Sequence, residues 1–282
     1  MDNYQITRLT KIVGDSLNSI KKEYTAYPKM YLSGKDAAYC PRKNYLKSKL
    51  KTKESLTALP LVTAEFGKIY ETLLLNQLQV SGDLAGYDLT INDDLFYIPN
   101  LSYFGVIDAV ISTDNEFLLI DVKTKHDLKD NTPSEQDIAQ ISFYSAITGL
   151  PCALVYLSRK VTEEFNKITY EVIPIEVNAN HILHMAFFST YCIKWNILPN
   201  IPKTFKKSIH CKYCSFYDYC WKDTPLEFKY NELTMQAYTD TKILADAYVE
   251  NIDNMRTKFI SLMQQDKLQG KYFRKLEERI PT

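Results

Sequence analysis

No run among the 282 residues approaches the roughly 18 consecutive apolar positions that span a bilayer. Nor does Met1-Asp2-Asn3-Tyr4 open with the basic and then apolar stretches of a secretory signal. A soluble, cytoplasmic chain without a membrane partner is expected. Glycine and proline are sparse, at 8 and 11 residues, and there is no internal repeat or low-complexity tract, which excludes collagenous, wholly disordered and linker-dominated chains. Net charge is also absent: 34 basic residues balance 34 acidic ones, so any polyanion site must be a local patch. Arginine is scarce, with 6 residues among those basic side chains, and a lysine-dominated base count suits phosphate-backbone contact over base-specific readout.

At this length the chain can bury a full core of its own. One domain over 1–282 is expected, with a core at about 62–178 and a helical C-terminal extension at about 223–282. Ser33 precedes a predicted helix over 34–48, with Asp36 as its capping-box partner and Cys40 inside it. A second helix over 62–79 carries Phe66, Ile69, Leu73, Leu74 and Leu78 at helical spacing, and Glu71 in its first half. Strand periods take over from 94 to 123. Asp114-Asn115 suits a two-residue hairpin turn between Tyr103–Thr113 and Glu116–Lys123. That register sets Asp108 opposite Asp121 and Val106 opposite Lys123, and alternation puts Asp121 and Lys123 on one face. Thr132-Pro133-Ser134-Glu135 then reads as the cap of a helix running to 146 or 147, stopped by Gly149 and Pro151. A strand over 152–157 closes a parallel crossover, and 168–177 adds an antiparallel strand. Helices over 179–196 and 231–266 follow. The fold class is α/β, a mixed central sheet flanked by helices.

Three short patterns converge on one chemistry: Gly105-Val-Ile-Asp108, Asp121-Val-Lys123 and Gln140-Ile-Ser-Phe-Tyr144. Carboxylates on adjacent strands can hold a hard divalent cation that keeps several waters. A lysine two residues beyond can orient water or stabilise charge developing on a phosphoryl group. Gln140 and Tyr144, four apart, share a helix face and present an amide and a phenol.

This order of motifs resembles the RecB-like branch of the PD-(D/E)XK nuclease superfamily, over about residues 33–220. The resemblance implies a restriction-endonuclease-like core and a phosphodiester hydrolase acting on DNA. It implies that Asp108 and Asp121 bind Mg²⁺ or Mn²⁺, with the Val122 carbonyl and Glu71 as further ligands, and that Lys123 is catalytic. Gln140 and Tyr144 would position the strand. Ile107 stands where the superfamily's nominal proline falls, and Glu71 where RecB-like exonucleases usually carry histidine. An exonuclease on single-stranded DNA or DNA ends is the expected activity, with a structure- or site-selective endonuclease and a non-cleaving DNA-binding or assembly factor as alternatives. A helicase or recombination partner, and a phage or mobile-element origin, are compatible with it.

The cysteines cluster in a way that reads as metal binding before disulfides. Cys211-x2-Cys214-x5-Cys220, with Cys40 upstream, looks like the iron–sulfur staple of AddB-type and CRISPR-associated exonucleases, which implies a [4Fe–4S] cluster joining 33–53 to 200–222. A Cys₄ zinc site is the alternative, although zinc more often uses two short-spaced cysteine pairs. Arg42 and Lys43 beside Cys40, and Lys206 and Lys207 near Cys211, are candidates for a basic groove in which Tyr213, Phe216, Tyr217 and Tyr219 stack on bases. His126, His181, His184 and His210 read as structural or surface residues, and Cys152 and Cys192 as core.

Overall fold

Leu119–Val122 and Cys152–Leu157 are continuous apolar runs interrupted only by Asp121 and Tyr156, the pattern of strands covered on both faces. The computed structural model makes these runs the neighbouring central strands. It describes residues 21–26, 32–37, 40–50, 52–85, 88–91, 96–98, 103–113, 116–125, 127–128, 133–158, 170–199, 211, 214–221 and 232–269.

The elements are β1 (Lys21–Ala26), β2 (Leu32–Ser33), a 3₁₀ turn (Gly34–Asp36), α1 (Pro41–Lys49), β3 (Thr52–Thr57), α2 (Ala58–Ala85), β4 (Asp88–Ile91), β5 (Phe96–Ile98), β6 (Tyr103–Gly105), β7 (Ala109–Ser112), β8 (Phe117–Lys125), α3 (Glu135–Thr148), β9 (Cys152–Ser158), β10 (Tyr170–Ile175), α4 (Ala179–Lys194), α5 (Tyr217–Trp221), α6 (Glu232–Glu250) and α7 (Ile252–Gln269). The main sheet has five strands in the order β10-β9-β8-β7-β4. Its β8–β9 pair is parallel and its other pairs are antiparallel. A three-stranded sheet, β2-β6-β5, and the β1–β3 ribbon accompany it.

The β7–β8 register is the one the hairpin predicts, with Ala109 opposite Ile120 and Ser112 opposite Phe117. Thr113 N–H donates to the Glu116 carbonyl at 3.0 Å, and the Asp114-Asn115 turn itself lies outside the described residues. Alternation divides the sheet into two faces. Val110, Leu119, Leu154 and Tyr156 pack with Ile141 and Phe143 of α3, Leu183 of α4 and Phe259 of α7. Ala109, Ile120, Val122, Val155 and Leu157 face Leu74, Leu75 and Leu78 of α2. Asp121 and Lys123 therefore stand on the face that α3 covers.

Several sequence expectations are corrected. The helix over 34–48 is broken: a 3₁₀ turn ends at Asp36, and Cys40 is extended (φ −153°, ψ 105°) as the cap of α1, not within it. Pro41 is the cause, because its ring disfavours helical backbone at the preceding residue while suiting the first helical position. Ser134, not a residue at 132, caps α3, its Oγ accepting from Asp137 N–H at 3.1 Å. The helix over 231–266 is two helices, since Asn251 forms a turn whose carbonyl accepts from Met255 N–H and opens α7. On α2, Leu74 and Leu78 reach the core, whereas Phe66, Ile69 and Leu73 are exposed; the run that reads as one apolar face is two.

Gly149 ends α3 at φ 71°, donating its N–H to the Ser145 carbonyl, with its own carbonyl accepting from Arg256 Nε at 2.6 Å. A Cβ there would lie 3.0 Å from the Ile252 carbonyl oxygen. Strain and crowding act together, so Gly149→Ala should cost about 1–3 kcal/mol, read as a lower urea midpoint at unchanged slope.

Candidate active site

β6 and β7 are separated by Val106–Asp108, which leave the ladder as the chain passes from the small sheet to the large one. Asp108 lies just beyond the last β7–β8 pair. Its Oδ2 accepts from Val122 N–H at 2.7 Å, so a carboxylate takes a donor that a strand carbonyl would otherwise hold. Asp121 is 1% exposed. Its Oδ2 lies 2.5 Å from Lys123 Nζ, and its Oδ1 accepts from Gln140 Nε2 at 3.2 Å. The same Nε2 points to Tyr144 Oη at 3.4 Å. The three sequence patterns thus form one constellation, with Asp108, Asp121 and Lys123 from the hairpin and Gln140 and Tyr144 from the crossover helix.

The electrostatics are those of crowded carboxylates. Burial, then the neighbouring Asp121, pushes Asp108 up to about 7; Glu71 adds to the rise, while Lys123 and the Val122 N–H oppose it. Burial also raises Asp121 despite Lys123. Burial alone would lower Lys123, but Asp121 and Asp108 outweigh it and hold it above its ordinary value. Glu71 is within electrostatic reach of Asp108 but pairs with Lys68 Nζ at 2.9 Å, one helical turn away on exposed α2 surface.

Two participants escape the sequence patterns. Asp137 raises both Asp121 and Lys123, and its Oδ2 accepts from Tyr156 Oη at 2.9 Å. Its spacing, three residues before Gln140 on one helix face, was the available signal. Lys35 lowers Asp121 from the 3₁₀ turn, and nothing local in the sequence links it to residues so distant.

That turn reaches the site through Tyr144. A Cβ on Gly34 would lie 2.6 Å from Tyr144 Cε1, and one on Gly105 would lie 2.5 Å from it. The ring therefore occupies a slot between two glycines, one of them the glycine of the Gly105-to-Asp108 pattern. Burial, then Asp121, raises the phenol well above its ordinary value, so it stays protonated.

Asp36 anchors the turn. Its Oδ1 is 2.6 Å from Lys47 Nζ, its Oδ2 accepts from Ser33 Oγ and Ser33 N–H, and its carbonyl accepts from Asn44 Nδ2 at 2.8 Å. Burial would raise the Asp36 carboxyl, but Lys47 and Ser33 prevail and hold it below its ordinary value.

The cysteines are drawn together in part. Cys40 is pushed up to about 11, chiefly by burial, with Cys214 and Cys220 adding to the rise, so the three thiols are electrostatic neighbours. Backbone N–H groups of Arg42 and Lys43 point back at Cys40, and the Arg42 side chain donates to Cys220. Cys214 N–H donates to the Cys211 carbonyl at 3.0 Å. These donors suit a thiolate ligand set. Among the described residues, however, no group of three or more His, Cys, Asp or Glu is gathered closely enough to hold a metal ion. For a hard cation at the carboxylates the fit is partial: Asp121 Oδ2 is taken by Lys123, while Gln140 Oε1 beside it is a buried acceptor without a hydrogen-bond donor.

The expected basic groove is corrected at Arg42, which is 2% exposed and donates to the Pro199 carbonyl at 3.0 Å, so it braces the fold and offers nothing to a strand. Lys43 is half-buried, Lys47 is engaged by Asp36, and Lys206 and Lys207 lie outside the described residues. Phe216 is buried and cannot stack, while Tyr217 and Tyr219 are exposed; Tyr213 is outside the described set. His184 is structural as read, buried with Nε2 3.0 Å from the Tyr238 carbonyl, and His181 is exposed; His126 and His210 lie outside the described residues. Cys152 and Cys192 are core. Among the described residues no helix is long and apolar enough to cross a membrane.

No family model and no curated protein sequence matches the chain. Among solved structures, the crystal structure of SSO0001 is similar, with a TM-score of 0.41 and 17% identity over 76% of this chain and 95% of that one.

Asp36→Asn should lower stability at neutral pH by roughly 1.5–3 kcal/mol, the range for hydrogen bonds to a charged group. Because the folded carboxyl titrates below its unfolded value, this contribution is present above about pH 4 and is lost as pH falls through the folded pKa. Urea unfolding of mutant and parent should therefore converge in acid.

Proposed function

We propose that this chain is a divalent-metal-dependent DNA nuclease of the RecB-like PD-(D/E)XK branch, an exonuclease on single strands or DNA ends, stapled by a [4Fe–4S] cluster on Cys40, Cys211, Cys214 and Cys220. The observation that carries the reading is the convergence of Asp108, Asp121 and Lys123 beneath Gln140. A buried carboxylate pair is costly in a sheet that needs only apolar contacts there, so its retention argues for chemistry.

Asp108 and Asp121, with the Val122 carbonyl and Glu71 as further oxygen donors, would hold Mg²⁺ or Mn²⁺, which when bound supplies Lewis-acid polarisation of a phosphate and an acidified water. Two carboxylates satisfy such an ion, because it retains waters. Lys123, an ammonium already paired with Asp121, stands where charge develops on a phosphoryl oxygen and stabilises it. Gln140 holds Asp121 Oδ1 in orientation, and Tyr144, buried between Gly34 and Gly105 with its hydroxyl beside Gln140, positions the helix that carries that amide. Lys35, exposed and near Asp121, adds positive charge at the mouth.

Incubation of anaerobically purified protein with end-labelled single- and double-stranded DNA should give degradation that requires Mg²⁺ or Mn²⁺ and stops with EDTA. Lys123→Ala and Asp121→Asn should lower the rate at least 100-fold while leaving retention of DNA in a filter-binding assay intact. Cleavage by the pure mutants at the parent rate would remove the assignment. Binding without cleavage by the parent would favour the assembly-factor reading.

The cluster has its own readout. The anaerobic protein should be brown and contain iron, and Cys40→Ser should lose both; a colourless protein carrying zinc would replace the iron–sulfur assignment.

A further inference from the structure

Along α2 the side chains facing away from the sheet repeat with a stricter period than a surface helix needs. Phe66, Ile69, Leu73 and Val80 are 51%, 53%, 61% and 65% exposed, and Asn76 is exposed between the last two. Their separations are three, four, three and four residues, the a/d spacing of a coiled-coil seam. Leu59 and Val62 extend the same spacing toward the N-terminus of this helix in sequence. Residues turned toward the sheet, Leu74, Leu75 and Leu78, belong to the other side of the helix and are already packed.

The positions flanking the seam carry almost no charge. Tyr70, Thr72, Gln77 and Gln79 border it, Glu65 precedes Phe66 in sequence, and Lys68 and Glu71 pair with each other. A surface without cations is poorly suited to nucleic acid, whereas an identical surface meets it without like-charge repulsion. The chain's zero formal net charge adds no long-range repulsion between copies.

We infer that α2 is a homodimer interface, in which the Phe66–Val80 seam pairs in parallel with the same seam of a second copy. Direction follows from Asn76. In a parallel pair each layer faces itself, so the two Asn76 amides meet and satisfy one another. In an antiparallel pair each d residue meets an a residue, which would set Asn76 against Phe66, Leu73 or Val80 according to register and bury its amide without a partner.

Sedimentation equilibrium of the full-length chain in reducing buffer should give twice the 32.7 kDa chain mass. Leu73→Glu, which places a carboxylate at the centre of the seam, should give the single-chain mass with an unchanged far-UV circular dichroism spectrum. Asn76→Cys should yield, on mild oxidation, a disulfide-linked dimer on a non-reducing gel that the parent with its native cysteines does not form. A parent at monomer mass over the whole concentration series overturns the interface, as does a Leu73→Glu dimer. A monomeric parent that loses thermal stability on Leu73→Glu would show instead that the chain's own residues cover the seam. A dimer in which Asn76→Cys fails to cross-link overturns the parallel pairing.

Discussion

The ion pair between Asp121 and Lys123 is the constraint around which the described structure is arranged. A carboxylate almost sealed from water on a central strand is tolerable only if cations and donors surround it. Lys123 supplies the charge from the same strand, Gln140 supplies a donor from α3, and Lys35 adds a more distant charge. For those groups to converge, β8 must be covered by α3 on one face and by α2 on the other. Asp108 tightens the arrangement by accepting from the Val122 backbone N–H across the hairpin, so two repelling carboxylates are held by a strand N–H and by the Gln140 amide.

Tyr144 transmits this arrangement to the N-terminal part of the chain. Its ring fits only because Gly34 and Gly105 lack side chains, and so the 3₁₀ turn, β6 and α3 meet at one point. From there Asp36 fastens the turn to α1 through Lys47 and Asn44, and Asn44 also donates to Ser189 of α4. Arg42 continues the connection to Pro199 and Cys220. A buried polar network of this kind orients neighbouring elements as well as stabilising them, because each member left without its partner is costly. The carboxylate site and the cysteine neighbourhood are thus mechanically joined through α1.

Much of the site was legible because its parts are local. The hairpin register follows from strand alternation and a two-residue turn, and it carries Asp108, Asp121 and Lys123 with it. The i, i+4 spacing of Gln140 and Tyr144 on α3 is equally local. Where the reading failed, a neighbouring residue outweighed a longer pattern. Pro41 broke the helix over 34–48, Ser134 captured the cap of α3, and Asn251 divided the last long helix. Arg42 was misread for a different reason: a guanidinium in a basic run is indistinguishable by composition from one that folds inward to bind a carbonyl.

Alone, the sequence determined the α/β class, the order and register of the central hairpin, and the residue types able to bind a hard cation, since these depend on chain neighbours and side-chain period. Only the tertiary structure decided that Lys35 and Asp137 act on Asp121, that Tyr144 needs two glycines, that Arg42 is internal, and which side of α2 meets the sheet. Those outcomes depend on contacts between segments tens of residues apart, and periodicity along one segment carries no information about what is packed against it.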